Sequence, residues 1–419
     1  MDTHKTAMIN YNFANLKNQL EPNKNKVILF GAGDIGELSN YSLNKLGIVV
    51  DFFCDNDPKK HGSKYLGVEV ISMDALKKLD KNVNVLISNN YVITISKELK
   101  KEGFNKVYNC SELLKNTDFS KPESIGNTNW TRHPLKLSRR LDYYSKMCSK
   151  DEFVSKGLLN IKSLDVQITE RCSLKCVDCS NLMQYYERPT NTNLDQLFLA
   201  VDRFMSCVNK IHEFRVIGGD PFMNKEMHKV VDRLKKYDQV EKIVIYTNAK
   251  IIPKGDNLAC LKHKKVILDI SNYGEVCTNH DAIIKVLEEN NILYTTNLVS
   301  TWQDCGRILP FQKRTEEENK IKFTNCCNSE VLSILHGKFY RCPFSANAHN
   351  LRAIPEDKSD VVDLCDEKTS IIALKEKIKD MVYNKDFLTA CLYCNGRDYT
   401  VAEIKSAQQT RKPLQYKRI

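Results

Sequence analysis

The chain has 419 residues, 42% hydrophobic and 27% charged, enough for two or three domains with cores of their own and unlike a disordered polymer. No apolar run approaches the roughly 20 residues that cross a bilayer. The opening MDTHKTAMINYNF has no signal-peptide stretch, so a cytoplasmic location is expected. The net charge of +11 would favour an anionic partner. The basic residues are scattered, however, with one modest cluster from Arg132 to Arg140, and no basic stripe is interleaved with aromatics. No nucleic-acid partner is expected, and phosphates on a small substrate account for the charge equally well.

In chain order, the first block alternates strands and helices. Lys26 to Phe30 reads as a strand, followed at once by Gly31-Ala32-Gly33-Asp34-Ile35-Gly36 and a helical stretch to Leu46. Strands follow at Ile48 to Phe53, Val83 to Ser88 and Lys106 to Asn109. That alternation implies a parallel sheet with right-handed crossovers. Residues 121–162 are polar and basic and read as a linker with a helix or two. A second alternating block has strands at Leu164 to Ile168, Phe214 to Ile217, Lys242 to Tyr246, Val266 to Ile270 and Ile292 to Thr296. Five readable strands and an uncertain sixth fit a partial (β/α)6 barrel better than an open sheet. The expected layout is α/β throughout: a Rossmann-like domain over 1–120, the linker over 121–162, the barrel over 163–323 and a cysteine-rich domain over 324–419.

Sixteen cysteines in a chain expected to be cytoplasmic are more often reduced, catalytic or metal-bound than bridged, so spacing matters. Cys172, Cys176 and Cys179 form C-x3-C-x2-C directly after the first strand of the middle block. Three thiolates can bind three irons of a 4Fe–4S cube and leave the fourth iron open. The segment CSLKCVDC resembles the signature of radical S-adenosylmethionine (SAM) enzymes. That resemblance implies a SAM-binding 4Fe–4S cluster, a 5′-deoxyadenosyl radical that removes a hydrogen atom from the substrate, and a reductase, flavodoxin or ferredoxin as electron donor. It extends to Gly218, Gly219 and Asp220, similar to the family's motif for the methionine amino group, although relatives usually have Glu where Asp220 stands. Ser271 and Asn248, at strand ends, stand where relatives contact SAM. Asp178 departs from the aromatic or apolar residue usual before the third cysteine.

In the last third, Cys327 is followed by Gly337, Cys342 and then Cys391-Leu392-Tyr393-Cys394. Val331 to Leu335 and Lys338 to Tyr340 read as a hairpin turning at His336-Gly337. The arrangement resembles the auxiliary-cluster domains called SPASM and, with a single cluster, twitch. It implies a second 4Fe–4S cluster on Cys327, Cys342, Cys391 and Cys394. Cys326 competes for the first position, and four paired cysteines also suit zinc.

The turn Gly31-x-Gly33-x-x-Gly36 between strand and helix is a phosphate cradle, and Asp55 ends the next strand where a ribose-binding carboxylate belongs. The wider stretch GAGDIG…VVDFFCDNDPKKHGSKYLGVEVIS resembles the small N-terminal domain of bacterial sugar acyltransferases, which implies a nucleotide-sugar ligand. Together these readings predict a radical SAM enzyme that takes a hydrogen atom from a nucleotide-linked sugar, by epimerisation, oxidation or dehydration, in surface-glycan or related biosynthesis. The competing readings are modification of a ribosomally made peptide and a non-catalytic metal-binding scaffold. Cys305 stands where a hydrogen donor for epimerisation would sit. Asp304 and His336 are the nameable bases for an oxidation.

Overall fold

The computed structural model describes residues 8–119 apart from 10, residues 134–148, and residues 157–419 apart from 399. It divides into two compact units, Met1–Gly157 and Leu158–Ile419.

In the first unit, β1 (Val27–Phe30) is buried along its whole length, as a strand covered on both faces of a parallel sheet must be. With β2 (Phe52–Cys54), β3 (Lys64–Tyr65), β4 (Val68–Ile71), β5 (Asn84–Ile87) and β6 (Val107–Asn109) it makes one sheet of order β3-β4-β2-β1-β5-β6. All pairs are parallel except β3 with β4. The strand order reverses at β1, and the Gly31–Gly36 turn leaves the carboxyl end of that strand, where open α/β sheets present ligand crevices. The pair β3–β4 was not legible, because β3 is a two-residue edge strand and β4 buries only Val70 fully.

The basic segment expected to be a linker lies partly outside the described residues. Its described residues are a helix, Pro134–Cys148, that belongs to the first unit, and residues 157–162. Of these, Asn160 to Lys162 already open the first strand of the second unit, so the expected end at 162 is corrected. Leu137 and Tyr144 are buried in the first unit's core, with Leu141 and Cys148 packed against it. Their helical spacing makes an apolar stripe that the basic composition hides. The Tyr144 hydroxyl donates to the Ile87 carbonyl and accepts from the Cys110 amide at 3.0 Å.

The second unit is built on one eight-stranded sheet. Its strands are β7 (Asn160–Gln167), β8 (Lys210–Ile217), β9 (Val240–Thr247), β10 (Val266–Asn272), β11 (Tyr294–Leu298), β13 (Leu332–Leu335), β14 (Lys338–Tyr340) and β15 (Val361–Asp363), in the order β11-β10-β9-β8-β7-β13-β14-β15. The strands β7 to β11 are parallel, and β13 adds to β7, also in parallel. The expected boundary at 323/324 is therefore crossed by the sheet itself. The hairpin assigned to a separate cysteine-rich domain is hydrogen-bonded to the first strand of the middle block. Its turn is the expected one, with His336 at φ 46° and Gly337 at φ 76°, the doubly positive pair of a type I′ hairpin. A small two-stranded ribbon, β12 (Thr301–Gln303) with β16 (Glu403–Lys405), completes the unit.

Candidate functional site

The loop after β7 carries Cys172, Cys176 and Cys179, and all three line a cavity of about 420 Å³. The other walls come from the strand ends: Gly218 and Gly219 after β8, Thr247 and Asn248 at the end of β9, Ser271 in β10, and Trp302, Gln303 and Cys305 around β12. Sequence reasoning had placed most of these together.

The two glycines on the cavity wall also meet a packing requirement. A Cβ on Gly218 would lie 2.1 Å from the Thr169 carbonyl oxygen, and one on Gly219 would lie 2.1 Å from that of Arg171. The Gly219 and Asp220 amides donate to those same carbonyls, each at 2.9 Å. The glycines let two backbones lie against each other, which fixes the cysteine loop.

Asp220 does not reach the cavity. It is fully buried, accepting from the Phe222 amide at 3.0 Å, the Thr247 hydroxyl at 2.9 Å and the Asn248 amide at 3.0 Å. Burial raises its pKa, against the pull of those three donors. The direct cofactor contact expected of it is corrected to a positioning role, since its bonds to Thr247 and Asn248 join the turn after β8 to the end of β9 and its bond to Phe222 closes that turn. Asn248 does face the cavity, and its amide approaches the Cys172 sulfur at 3.5 Å.

Burial, with the neighbouring thiols and carboxylates, pushes the Cys172 thiol well up and the Cys176 thiol to about 12. Cys179 is raised as well, by burial against three backbone amides. Such thiols ionise when a metal supplies the compensating charge. Among the described residues no three His, Cys, Asp or Glu side chains converge as they would on a single ion. A cube binds each thiolate at its own corner, so sulfurs spread around a cavity suit it.

One part of the site had no sequence signal. Residues 408–410 run antiparallel to the cysteine loop: Val177 donates to the Gln408 carbonyl, and Thr410 to that of Lys175, each at 2.7 Å. Gln409 accepts from the Lys175 amide at 2.7 Å and directs its own amide to the Cys176 sulfur at 3.3 Å. Asp178, the departure from the family pattern, pairs with Arg307, and its backbone packs on Gly306, where a Cβ would meet the Asp178 oxygen at 2.1 Å.

A second, small cavity is lined by Cys326, Cys342, Cys391 and Cys394 together with Phe323, Phe344, Leu388 and Cys305. Cys327 does not line it and is exposed. A short 3₁₀ turn from Cys327 to Glu330 follows a helix that ends at Asn325. That junction turns Cys326 inward and its neighbour outward, which corrects the expected position. Around this cavity Arg314 donates to the Cys391 and Cys394 carbonyls at 2.7 and 3.2 Å, and the Gly396 amide donates to the Cys394 sulfur at 3.0 Å. Cys305 lines both cavities. Burial pushes its thiol up to about 12, partly offset by Arg397. His336 is directed elsewhere, with Nε2 2.9 Å from Glu170, and Asp304 lines neither cavity.

In the first unit, Gly31 has φ 127° and a Cβ there would meet the Ser88 oxygen at 2.7 Å, while one on Gly36 would meet the Gly31 oxygen at 2.1 Å. Gly33 has nothing within 4 Å. Asp55 accepts from the Ala32 and Asp57 amides, each at 2.9 Å, and from Lys60 at 3.0 Å. It ties down the glycine turn rather than being presented to a ribose.

A family model described as "C2185-like, N-terminal" matches residues 23–107. The chain is 30% identical over 146 residues to a GTP 3′,8-cyclase of Clostridium acetobutylicum, covering 33% of this chain and 45% of that one. It is 29% identical over 193 residues to a GTP 3′,8-cyclase of Lactiplantibacillus plantarum, covering 45% of this chain and 53% of that one. The chain thus spans about half the length of these curated relatives. Among solved structures, it is similar to BtrN in complex with AdoMet and 2-DOIA, with TM-score 0.37, 13% identity, and coverage of 56% of this chain and 93% of that one. No described helix is long and apolar enough to cross a membrane. The cysteine triad on its strand-end cavity and the cyclase similarity support a radical SAM enzyme, with SAM and a 4Fe–4S cluster as cofactors.

Proposed function

We propose that the second unit holds a SAM-binding 4Fe–4S cluster on Cys172, Cys176 and Cys179 and a second 4Fe–4S cluster on Cys326, Cys342, Cys391 and Cys394, and acts on a sugar-like small molecule. The observation that carries this reading is that these seven cysteines line two cavities, three on one and four on the other, with Cys305 and Asn328 lining both. When bound, SAM and its cluster would supply a carbon-centred radical able to take a hydrogen atom from an unactivated C–H bond.

The chain's own residues do the rest. The Gly218–Gly219 backbone holds the cysteine loop, Asn248 and Gln409 donate towards cluster sulfurs, and Tyr273 and Trp302, stacked edge-to-face with centroids 5.3 Å apart, wall the cavity. The positive charge of Arg314 near Cys391 and Cys394 offsets the negative charge that a thiolate-bound cluster carries. In the first unit, the open Gly33 is the position where a phosphate could approach the turn, and it supports a nucleotide-sugar ligand for that unit.

The similarity to GTP 3′,8-cyclases favours a second reading, a purine nucleoside triphosphate as substrate. Charge weighs against it. The charged groups lining the cavity are Asp165, Asp178, Arg215 and Arg397, and Arg215 is held by Glu213 at 3.1 Å while Asp178 pairs with Arg307. A triphosphate would meet no net positive surface. Peptide modification has less support, since the N-terminal unit is a parallel α/β sheet rather than a leader-binding winged helix.

The test is anaerobic reconstitution followed by iron counting and dithionite-driven SAM cleavage. About eight irons per chain are expected for two four-iron clusters, with 5′-deoxyadenosine formed. Absence of SAM cleavage under every condition would return the chain to the scaffold reading.

A further inference from the structure

The carboxylates around the cavity differ in how they are satisfied. Glu170 takes four donors: Thr190 through its amide at 2.8 Å and hydroxyl at 3.1 Å, Asn350 at 2.8 Å and His336 at 2.9 Å. Asp220 takes three, and Glu213 takes the Arg215 guanidinium. Asp165 is the exception. It lies in β7, in register with Arg215 of β8 on one side and Ser333 of β13 on the other. It is 3% exposed, lines the cavity, and its Oδ1 is buried with no hydrogen-bond partner. Its nearest cation, Arg215, stands 4.0 Å away, beyond hydrogen-bond reach.

A buried carboxylate without donors is costly, and folds keep one where a ligand supplies what the protein does not. Burial pushes its carboxyl up to about 6, with Arg215 pulling it down and Glu213 pushing it up. Its environment is therefore set for a group that brings donors rather than for another anion.

We propose that Asp165 is a substrate-contacting carboxylate of this cavity, and that it accepts from a hydroxyl or ammonium group of a sugar-like small molecule. This deepens the radical SAM reading and rests on it. An anionic triphosphate would repel Asp165. A hydroxyl or ammonium in the cavity would bring the donorless carboxylate its hydrogen bond, while Arg215 and Tyr246, which line the same cavity, bound the ligand on the β8 and β9 side.

The experiment uses the reconstituted full chain and Asp165→Asn, which keeps the shape and removes the acceptor charge. The probes are D-glucosamine, UDP-glucose and GTP, each scored by stimulation of 5′-deoxyadenosine formation in the wild type. Iron content, SAM binding and thermal unfolding are measured on both proteins. Stimulation by glucosamine or UDP-glucose that falls at least about tenfold in Asp165→Asn, as expected for losing a charged hydrogen bond, with iron and SAM binding retained, supports the proposal. Equal stimulation in both proteins overturns it, as does stimulation by GTP alone or by none of the three probes. A melting temperature lowered in Asp165→Asn would assign the residue to folding and overturn it too. Failure of the wild type to cleave SAM at all would instead sink the reading beneath it, which keeps the two failures apart.

Discussion

Two glycine-rich turns leave strand ends in this chain, and they use glycine for different reasons. After β8, Gly218 and Gly219 are jammed against backbone, each with a carbonyl oxygen 2.1 Å from where a Cβ would stand. After β1, Gly31 and Gly36 are also crowded, at 2.7 and 2.1 Å, but Gly33 between them faces open space. At β8 the crowding fixes a neighbouring loop that carries the chemistry. At β1 it shapes a turn and leaves one backbone position exposed. A glycine motif after a strand thus marks close approach, and only the surroundings say whether the approaching group is another loop or a ligand.

The comparison breaks most sharply at the cysteines that the β8 turn supports. Cys176→Ala removes a thiolate from the triad, and SAM cleavage is expected to fall to background with the second cavity's iron retained. Iron counting beside product analysis checks this, and native-rate 5′-deoxyadenosine would end the assignment. Gly219→Ala comes next. Its Cβ would also lie 2.8 Å from the Cys172 amide nitrogen, so the cysteine loop must move. A stability loss of about 1–3 kcal/mol by denaturant titration is expected, with reduced iron incorporation at the triad. At the second cavity, Cys326→Ser should lower iron by up to a cluster's worth, whereas Cys327→Ser, on an exposed side chain, should leave the count unchanged. Equal losses would mean that both neighbours serve.

Much of this was legible in the chain itself. Strand positions followed from apolar runs, the hairpin from His336-Gly337, and the triad from two spacings. What escaped depended on partners far away in sequence. The addition of β13 to β7 joins residues more than 160 positions apart, as in Leu332 with Leu164, and no local pattern encodes it. Residues 408–410 carry no motif, yet they zip along the cysteine loop. Cys326 and Cys327 are chemically identical neighbours, and only the helix end before them decides which turns inward. Asp220 had the right address for a ligand contact, but its three donors from the ends of β8 and β9 hold it in the interior. The helix Pro134–Cys148 shows the reverse error, a basic composition concealing an apolar stripe that completes a core.

The smallest expected effect lies at the open glycine. Gly33 precedes the helix Asp34–Lys45 with φ −155° and ψ −164°, an extended conformation that any residue adopts. Gly33→Ala should therefore change stability by no more than about 0.5 kcal/mol, while Gly31→Ala, forced to φ 127° against the Ser88 oxygen, should cost several times more. Stability alone separates the two turns on this point, since neither Gly218 nor Gly219 has room for a methyl group. Gly33→Val then asks what the space is for. If a phosphate approaches that backbone, the branched side chain blocks it, and UDP-glucose binding measured by calorimetry should weaken with no loss of fold. If binding is absent in the wild type, or unchanged in Gly33→Val, the open position is not a cradle. The motif in the first unit would then be a structural turn.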